Sequence, residues 1–375
     1  MAVGQPIQFL PIARHVDKKG GYVFRICLLP SSLAIASQQR VGAKVNSVIR
    51  ILDEATLSEM SLLPACHDQP ITDLQVIPAS HGRGLVSSSR DGTVKLWDLR
   101  SSGGPVGTIV CSSNRRDAQL FGASINTNNV LAVGLDSDVA LYDVKSGNSK
   151  PYFTYTEAHM DIVNCVKFHP TRTNLCLTGG DDTLINVLDV TDLNNEDDGQ
   201  APKVTLSAED SVRSVSAAGP TGDLLVVSTC TERLQVWNAS TAQRCLESSG
   251  IREHPLLCAS QGEQEDMQLG YIIDAQYDAP SDRLYILGGS TNGTVVCCEL
   301  ADAAELTTHG VFHTGLGDRG HEGVVRSAVL DTTRGTVFTG GEDGAVVSWG
   351  PNAGESRPEL KDTRKGPRGV AASPY

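Results

Sequence analysis

Aromatic residues are scarce: seven Phe, eight Tyr and three Trp make up 5% of 375 residues. Met is scarcer still, at four. The interior must therefore be built from Val, Ile, Leu and Ala, and the branched ones suit β-sheets. No long uncharged apolar run is present, so no membrane span is expected. The opening Met-Ala-Val-Gly-Gln-Pro-Ile-Gln has no basic segment leading into an apolar one, so no secretory signal is expected. The ten Cys include no Cys-x-x-Cys, and the only close pair is Cys297-Cys298. That speaks against a disulfide framework and against a metal site; the cysteines read as small core residues in a reducing compartment. There is no Gly-x-x-x-x-Gly-Lys-Ser/Thr phosphate loop and no His-Glu-x-x-His. No cofactor is expected. Basic residues are also in deficit, with 31 Lys and Arg against 44 Asp and Glu and a net charge of −13. An acidic body argues against a general nucleic-acid groove.

What the chain does have is one cassette, repeated. Gly84-Leu-Val-Ser-Ser-Ser-Arg-Asp-Gly-Thr-Val-Lys-Leu-Trp-Asp98 reads strand, tight turn, strand, Trp, Asp. Thr336-Val-Phe-Thr-Gly-Gly-Glu-Asp-Gly-Ala-Val-Val-Ser-Trp349 repeats it, and Asn174 to Asp189 repeats it with Leu188 in the Trp slot. A repeat of this length and pattern marks a WD-type β-propeller. The Trp-Asp slot recurs at Leu52, Trp97, Tyr142, Leu188, Trp237, Cys298 and Trp349, every 45 to 61 residues.

Seven slots predict an all-β, seven-bladed propeller over 1–350, with four strands per blade named a to d outward from the axis. Blades two, four and six read most clearly. Blade seven is short of one strand, because Pro351-Asn-Ala-Gly-Glu-Ser-Arg-Pro358 is poor strand material. The N-terminal Ile7–Ile12 is predicted to supply it, since Pro is tolerated on an outermost strand and a borrowed strand closes the ring. Residues 351–375 read as a disordered basic tail.

His67, Ser87, Asp91 and Trp97 have the spacing of a structural tetrad. So do His321, Thr339, Asp343 and Trp349. His159, Thr178 and Asp182 form a third set without Trp. A His with a hydroxyl and an Asp invites a hydrolase reading. Three copies in one chain favour a fold device, in which each buried polar group finds a partner. No catalytic residue is assigned. Asn238-Ala-Ser240 and Asn292-Gly-Thr294 match glycosylation triplets and, without a secretory route, read as chance.

Trp97-Asp98-Leu99-Arg100 resembles the motif by which some propellers dock on the adaptor of a cullin-RING ubiquitin ligase, which makes Asp98 and Arg100 candidates for such docking. Long connections locate partner surfaces better than motifs do. Those expected on the top face are Gln38–Asn46, Glu253–Leu269 and His313–Gly320. Arg115, Arg116, Leu256, Leu257, Glu263, Glu265 and Asp266 are therefore candidate partner-binding residues. Pro255-Leu-Leu-Cys258 would be the apolar anchor, and Glu263-Gln-Glu-Asp266 an acidic rim for a basic partner.

The chain resembles the WD repeat-containing protein 89 family. The stretches that carry this are Arg319-Gly-His-Glu-Gly-Val-Val-Arg-Ser327 through Gly340-Gly-Glu-Asp-Gly344, then Trp349-Gly-Pro-Asn-Ala353. Val163-Asn-Cys-Val-Lys-Phe-His-Pro170 and Tyr271 through Gly293 add to them. The resemblance implies a seven-bladed scaffold without an established activity, and it names no partner. The expectation is a non-enzymatic interaction scaffold of cytoplasm, nucleus or both. It would bind protein partners, with no nucleic acid and no membrane. A cullin-RING substrate receptor is the alternative, and an enzyme with a propeller cleft comes after that.

Overall fold

The apolar cassettes fold into antiparallel ladders because alternate side chains of each strand can be buried on either face between neighbouring sheets. The computed structural model describes residues 6–17, 21–41, 44–101, 103–111, 120–191, 201–254, 257, 270–300, 306–312 and 320–351. Among them, five four-stranded sheets follow one another, and an eight-stranded sheet holds the rest. The eight-stranded sheet is two four-stranded blades joined at their outer strands. Blade six is Tyr271–Asp278, Arg283–Gly289, Val295–Leu300 and Leu306–Phe312; blade seven is Val325–Asp331, Thr336–Gly341, Ala345–Pro351 and, from the other end of the chain, Ile7–Val16.

The N-terminal strand pairs antiparallel with Ala345–Pro351 and parallel with Leu306–Phe312, through Ile7↔Gly310 and Phe9↔Phe312. It runs four residues further than the sequence pattern indicated, to Val16. Phe9 stacks on Phe312 with ring centroids 4.7 Å apart, and Phe312 meets Trp349 edge-on at 5.6 Å.

Closure of the ring is visible in the core. Seven apolar clusters lie one between each pair of consecutive blades, and the last joins Phe338 and Val346 of blade seven to Val23, Ile35 and Leu52 of blade one. The fold is a β-propeller, and each blade is stabilised mainly by apolar area buried against its two neighbours. Polar links accompany the clusters. Ile26 N–H donates to Ser327 Oγ at 3.0 Å, and Val163 N–H donates to the Asp136 carbonyl at 2.7 Å. The approach is close enough to demand glycine: a Cβ on Gly340 would stand 2.5 Å from Val23 of the next blade, and one on Gly179 2.3 Å from Val212.

One expected loop is instead a ladder. Gln38–Asn46 belongs to an extended hairpin, Ser32–Val41 paired with Lys44–Asp53 down to Val41↔Lys44. The backbone groups of its described residues pair with each other, so 38–41 and 44–46 are strand rather than a free connection. Of the expected connection at His313–Gly320, residues 313–319 lie outside the described residues, as does the tail beyond Pro351. No helix among the described residues is long and apolar enough to cross a membrane.

Candidate functional site

The three His-containing sets sit where the second strand and its turn meet the chain arriving from the preceding blade: His159 and His321 lie in that connection, and His67 ends the outer strand Glu59–His67 of blade one. In blade two, His67 Nδ1 is 2.9 Å from Asp91 and Nε2 is 2.8 Å from Ser87 Oγ; the Trp97 indole donates to Ser87 Oγ at 2.9 Å. In blade seven, His321 Nδ1 is 3.1 Å from Asp343 and Nε2 is 2.8 Å from Thr339 Oγ1, while Trp349 donates to Thr339 at 2.7 Å. In blade four, His159 lies 3.0 Å from Asp182 and 2.8 Å from Thr178. All three imidazoles are 0% exposed. A substrate cannot reach these rings, so each set ties turn to strand instead of presenting a nucleophile.

Burial opposes ionisation of Asp91 and Asp343. The bonds and charge of His67 and His321, with the turn amides, outweigh it and hold both carboxyls at about 2. Blade five solves the same problem differently. The Trp237 indole donates to Gln235 Oε1 at 2.9 Å, and the Gln235 amide donates to the Ala208 carbonyl at 2.9 Å.

The docking candidates are adjacent. Arg100 is 67% exposed and holds Asp98 through Nε at 2.9 Å and Nη2 at 2.6 Å. This hydrogen bonding keeps the Asp98 carboxyl at about 2. The guanidinium thus stands on the rim where strand c ends.

The candidate top-face residues Arg115, Arg116, Leu256, Glu263, Glu265 and Asp266 lie outside the described residues. Leu257 is described, and it corrects the expected anchor. It is 1% exposed and packs with Ile251, Ile272 and Ile286 in the core between blades five and six. An apolar side chain there is already satisfied inside the protein.

The structure also assembles groups that spacing along the chain did not single out. On the top face, Met160 is 91% exposed, beside Asp161. Asp181 of the same blade is bonded to Asn164 and Ser211, which are neutral. In the channel, Lys167 of blade four reaches Asp73 of blade two at 3.0 Å, and Arg25 of blade one is 3.7 Å from the same carboxylate. In blade one, Arg50 is 4% exposed among Asp17, Glu59 and Ser37. Among the described residues, no group of three or more His, Cys, Asp or Glu could hold a metal.

Comparison with known proteins agrees with this architecture. The family described as "WD domain, G-beta repeat" matches residues 60–98 and 149–189. WD repeat-containing protein 89 homolog of Dictyostelium discoideum is 26% identical over 91% of this chain and 87% of its own length. Set1 complex component swd2 of Schizosaccharomyces pombe is 27% identical over 44% of each chain. A chain in the crystal structure of a mitotic checkpoint complex superposes with a TM-score of 0.68 at 15% identity, covering 91% of this chain and 95% of that one; this likeness concerns the fold alone. The chain is a WD-repeat β-propeller, and its resemblance to the WD repeat-containing protein 89 family extends over nearly its whole length.

Proposed function

We propose that this protein is a non-enzymatic scaffold that holds protein partners in a multiprotein complex. The observation that carries the reading is the burial of every described His–hydroxyl–Asp set. Among the described residues, the arrangement that suggests acyl chemistry is spent on the fold. The name of swd2 places that relative in a complex, which supports the same class of role. The top face is the proposed binding surface. Its Met160 is exposed beside Asp161, and the acidic Glu263–Asp266, outside the described residues, is expected from chain order on the same side, so a basic partner segment is favoured. The test is affinity purification of the full chain with and without Gly262–Gln268 replaced by Gly-Ser. Partner recovery should fall in the shortened protein and weaken with salt in the wild type. Equal recovery from both proteins would move the binding site elsewhere.

A second reading rests on the Asp98–Arg100 pair. As a docking element for a cullin-RING adaptor, it would make the protein a substrate receptor. Arg100→Ala should then abolish adaptor recovery while leaving the denaturation curve unchanged, as for other exposed surface substitutions. Absence of the adaptor from wild-type purifications would eliminate this reading.

A further inference from the structure

The channel contains the same side-chain module twice. In blade two, Asp73 is the first residue past the bulge of the innermost strand; in blade six, Asp274 holds the same register position. The Leu74 amide donates to Asp73 Oδ1 at 3.0 Å, and the Ala275 amide donates to Asp274 Oδ1 at 2.9 Å. The Gln75 amide donates to Asp73 Oδ2 at 2.7 Å and to the Ala123 carbonyl of the next blade at 2.9 Å. The Gln276 amide donates to Asp274 Oδ2 at 3.0 Å and to the Ala328 carbonyl of its next blade at 3.1 Å. Each Gln oxygen accepts from that same neighbour, from Ser124 Oγ at 3.2 Å and from the Leu330 amide at 2.9 Å.

The two modules differ in one respect. Asp73 is filled by a cation, because the Lys167 ammonium sits 3.0 Å from its Oδ2. Among the described residues, no Lys, Arg or His lies within ion-pair distance of Asp274. Each oxygen of Asp274 accepts one bond of the two it can take, so the carboxylate retains acceptor capacity. Asp274 as a whole residue is half-buried. Burial opposes ionisation at both sites. At Asp73 the charges of Lys167 and Arg25 prevail and the carboxyl titrates below its ordinary range; at Asp274 burial prevails and it titrates above, although the Gln276 and Ala275 bonds and, from beyond ion-pair distance, the same two charges oppose it.

We propose that the Asp274–Gln276 module of blade six is a binding site for a primary ammonium group supplied from outside this chain, as Lys167 supplies one to Asp73. The ring also shows why no internal residue does so. Lys167 is the third residue past the bulge in blade four, two blades on from blade two. The third residue past the bulge in blade one, two blades on from blade six, is Cys27. A thiol stands where the cation would have to originate. The site is independent of the top-face loop, so failure of that loop to bind partners does not bear on it.

The test uses the full chain with three probes measured by NMR titration: n-butylammonium, an acetylated and amidated Gly-Lys-Gly peptide, and the same peptide with norleucine in place of Lys. Binding of the Lys peptide without the norleucine peptide is expected. Binding of n-butylammonium as well would show that a free amine suffices, and its failure would show that the ammonium must arrive on a peptide. Either way, Asp274→Asn should weaken the ammonium probe by at least about tenfold. Cys27→Lys, which carries its own ammonium to the module, should weaken it to the same degree. Undiminished binding in both variants, equal binding of the norleucine peptide, or no binding of either ammonium probe overturns the proposal.

Discussion

Arg50 Nη2 stands 2.8 Å from an Asp17 carboxylate oxygen, with the arginine side chain 4% exposed. The pair joins strand c of blade one to the segment just past the N-terminal strand, which is itself the outer strand of blade seven. It therefore ties blade one to the end of the strand that completes blade seven. Arg50 also donates to Glu59 at 3.1 Å and to Ser37 Oγ at 2.6 Å. Arg50→Ala strands buried acceptors and should cost about 3 kcal/mol or more. Urea denaturation reads this directly, and a loss under about 1 kcal/mol would show the cluster to be solvent-screened.

Deleting residues 1–14 removes all but His15 and Val16 of the strand paired with both Leu306–Phe312 and Ala345–Pro351. Two strand edges and the face of Phe312 are uncovered. The truncated protein should melt at lower temperature and aggregate. Phe9→Ala alone should cost about 3 kcal/mol or more, as for other buried aromatic truncations. Scanning calorimetry and light scattering check both, and an unchanged melting temperature would contradict closure by this strand.

Asp343→Ala removes the acceptor for His321 Nδ1 and for the Glu322 and Ala345 amides, which lie 3.0–3.1 Å away. The expected loss is about 1–3 kcal/mol. Combined with His321→Ala, the loss should be less than the sum, because both belong to one network. Strict additivity in denaturant melts would refute the shared network.

The same carboxylates set an acid limb. Asp91 and Asp343 have folded values of about 2, below the ordinary value of 3.8. Their contribution to stability is fully present above the unfolded value. It is lost as pH falls from about 4 through about 2. Asp91→Asn with Asp343→Asn should flatten stability against pH across that window. A wild-type slope in the double variant would assign the limb to other groups.

Thr183 has φ of +69° in the turn where blades two and seven place Gly92 and Gly344. A β-branched residue is strained there. Thr183→Gly should stabilise by about 0.5–1 kcal/mol, since the relieved strain exceeds the added freedom of the unfolded chain. A lower melting temperature would mean that the threonine side chain does more for the fold than its backbone costs.

The sequence alone carried the class of fold, the repeat register and the borrowed N-terminal strand. The first two depend on local patterning, namely alternating apolar runs, Asp-Gly turns and a recurring Trp slot, all readable within one repeat; the third followed from the strand missing in the last blade. It also carried the members of the three His sets, because hydroxyl and Asp stand four residues apart in each and the His precedes the hydroxyl by 18 to 20. Gln38–Asn46 was misread, because a long hairpin and a long loop differ in pairing rather than in composition. Leu257 was misread because its burial is decided by Ile251, Ile272 and Ile286, which come from separate segments. Only the tertiary arrangement brings Arg50 to Asp17, and Lys167 of blade four across the channel to Asp73 of blade two. The two Asp-x-Gln modules lie about two hundred residues apart, and one carboxylate is paired while the other is not. That difference is electrostatic, and it depends on which side chains from other blades cross the channel. Distance through space decides it, and distance along the chain does not encode it.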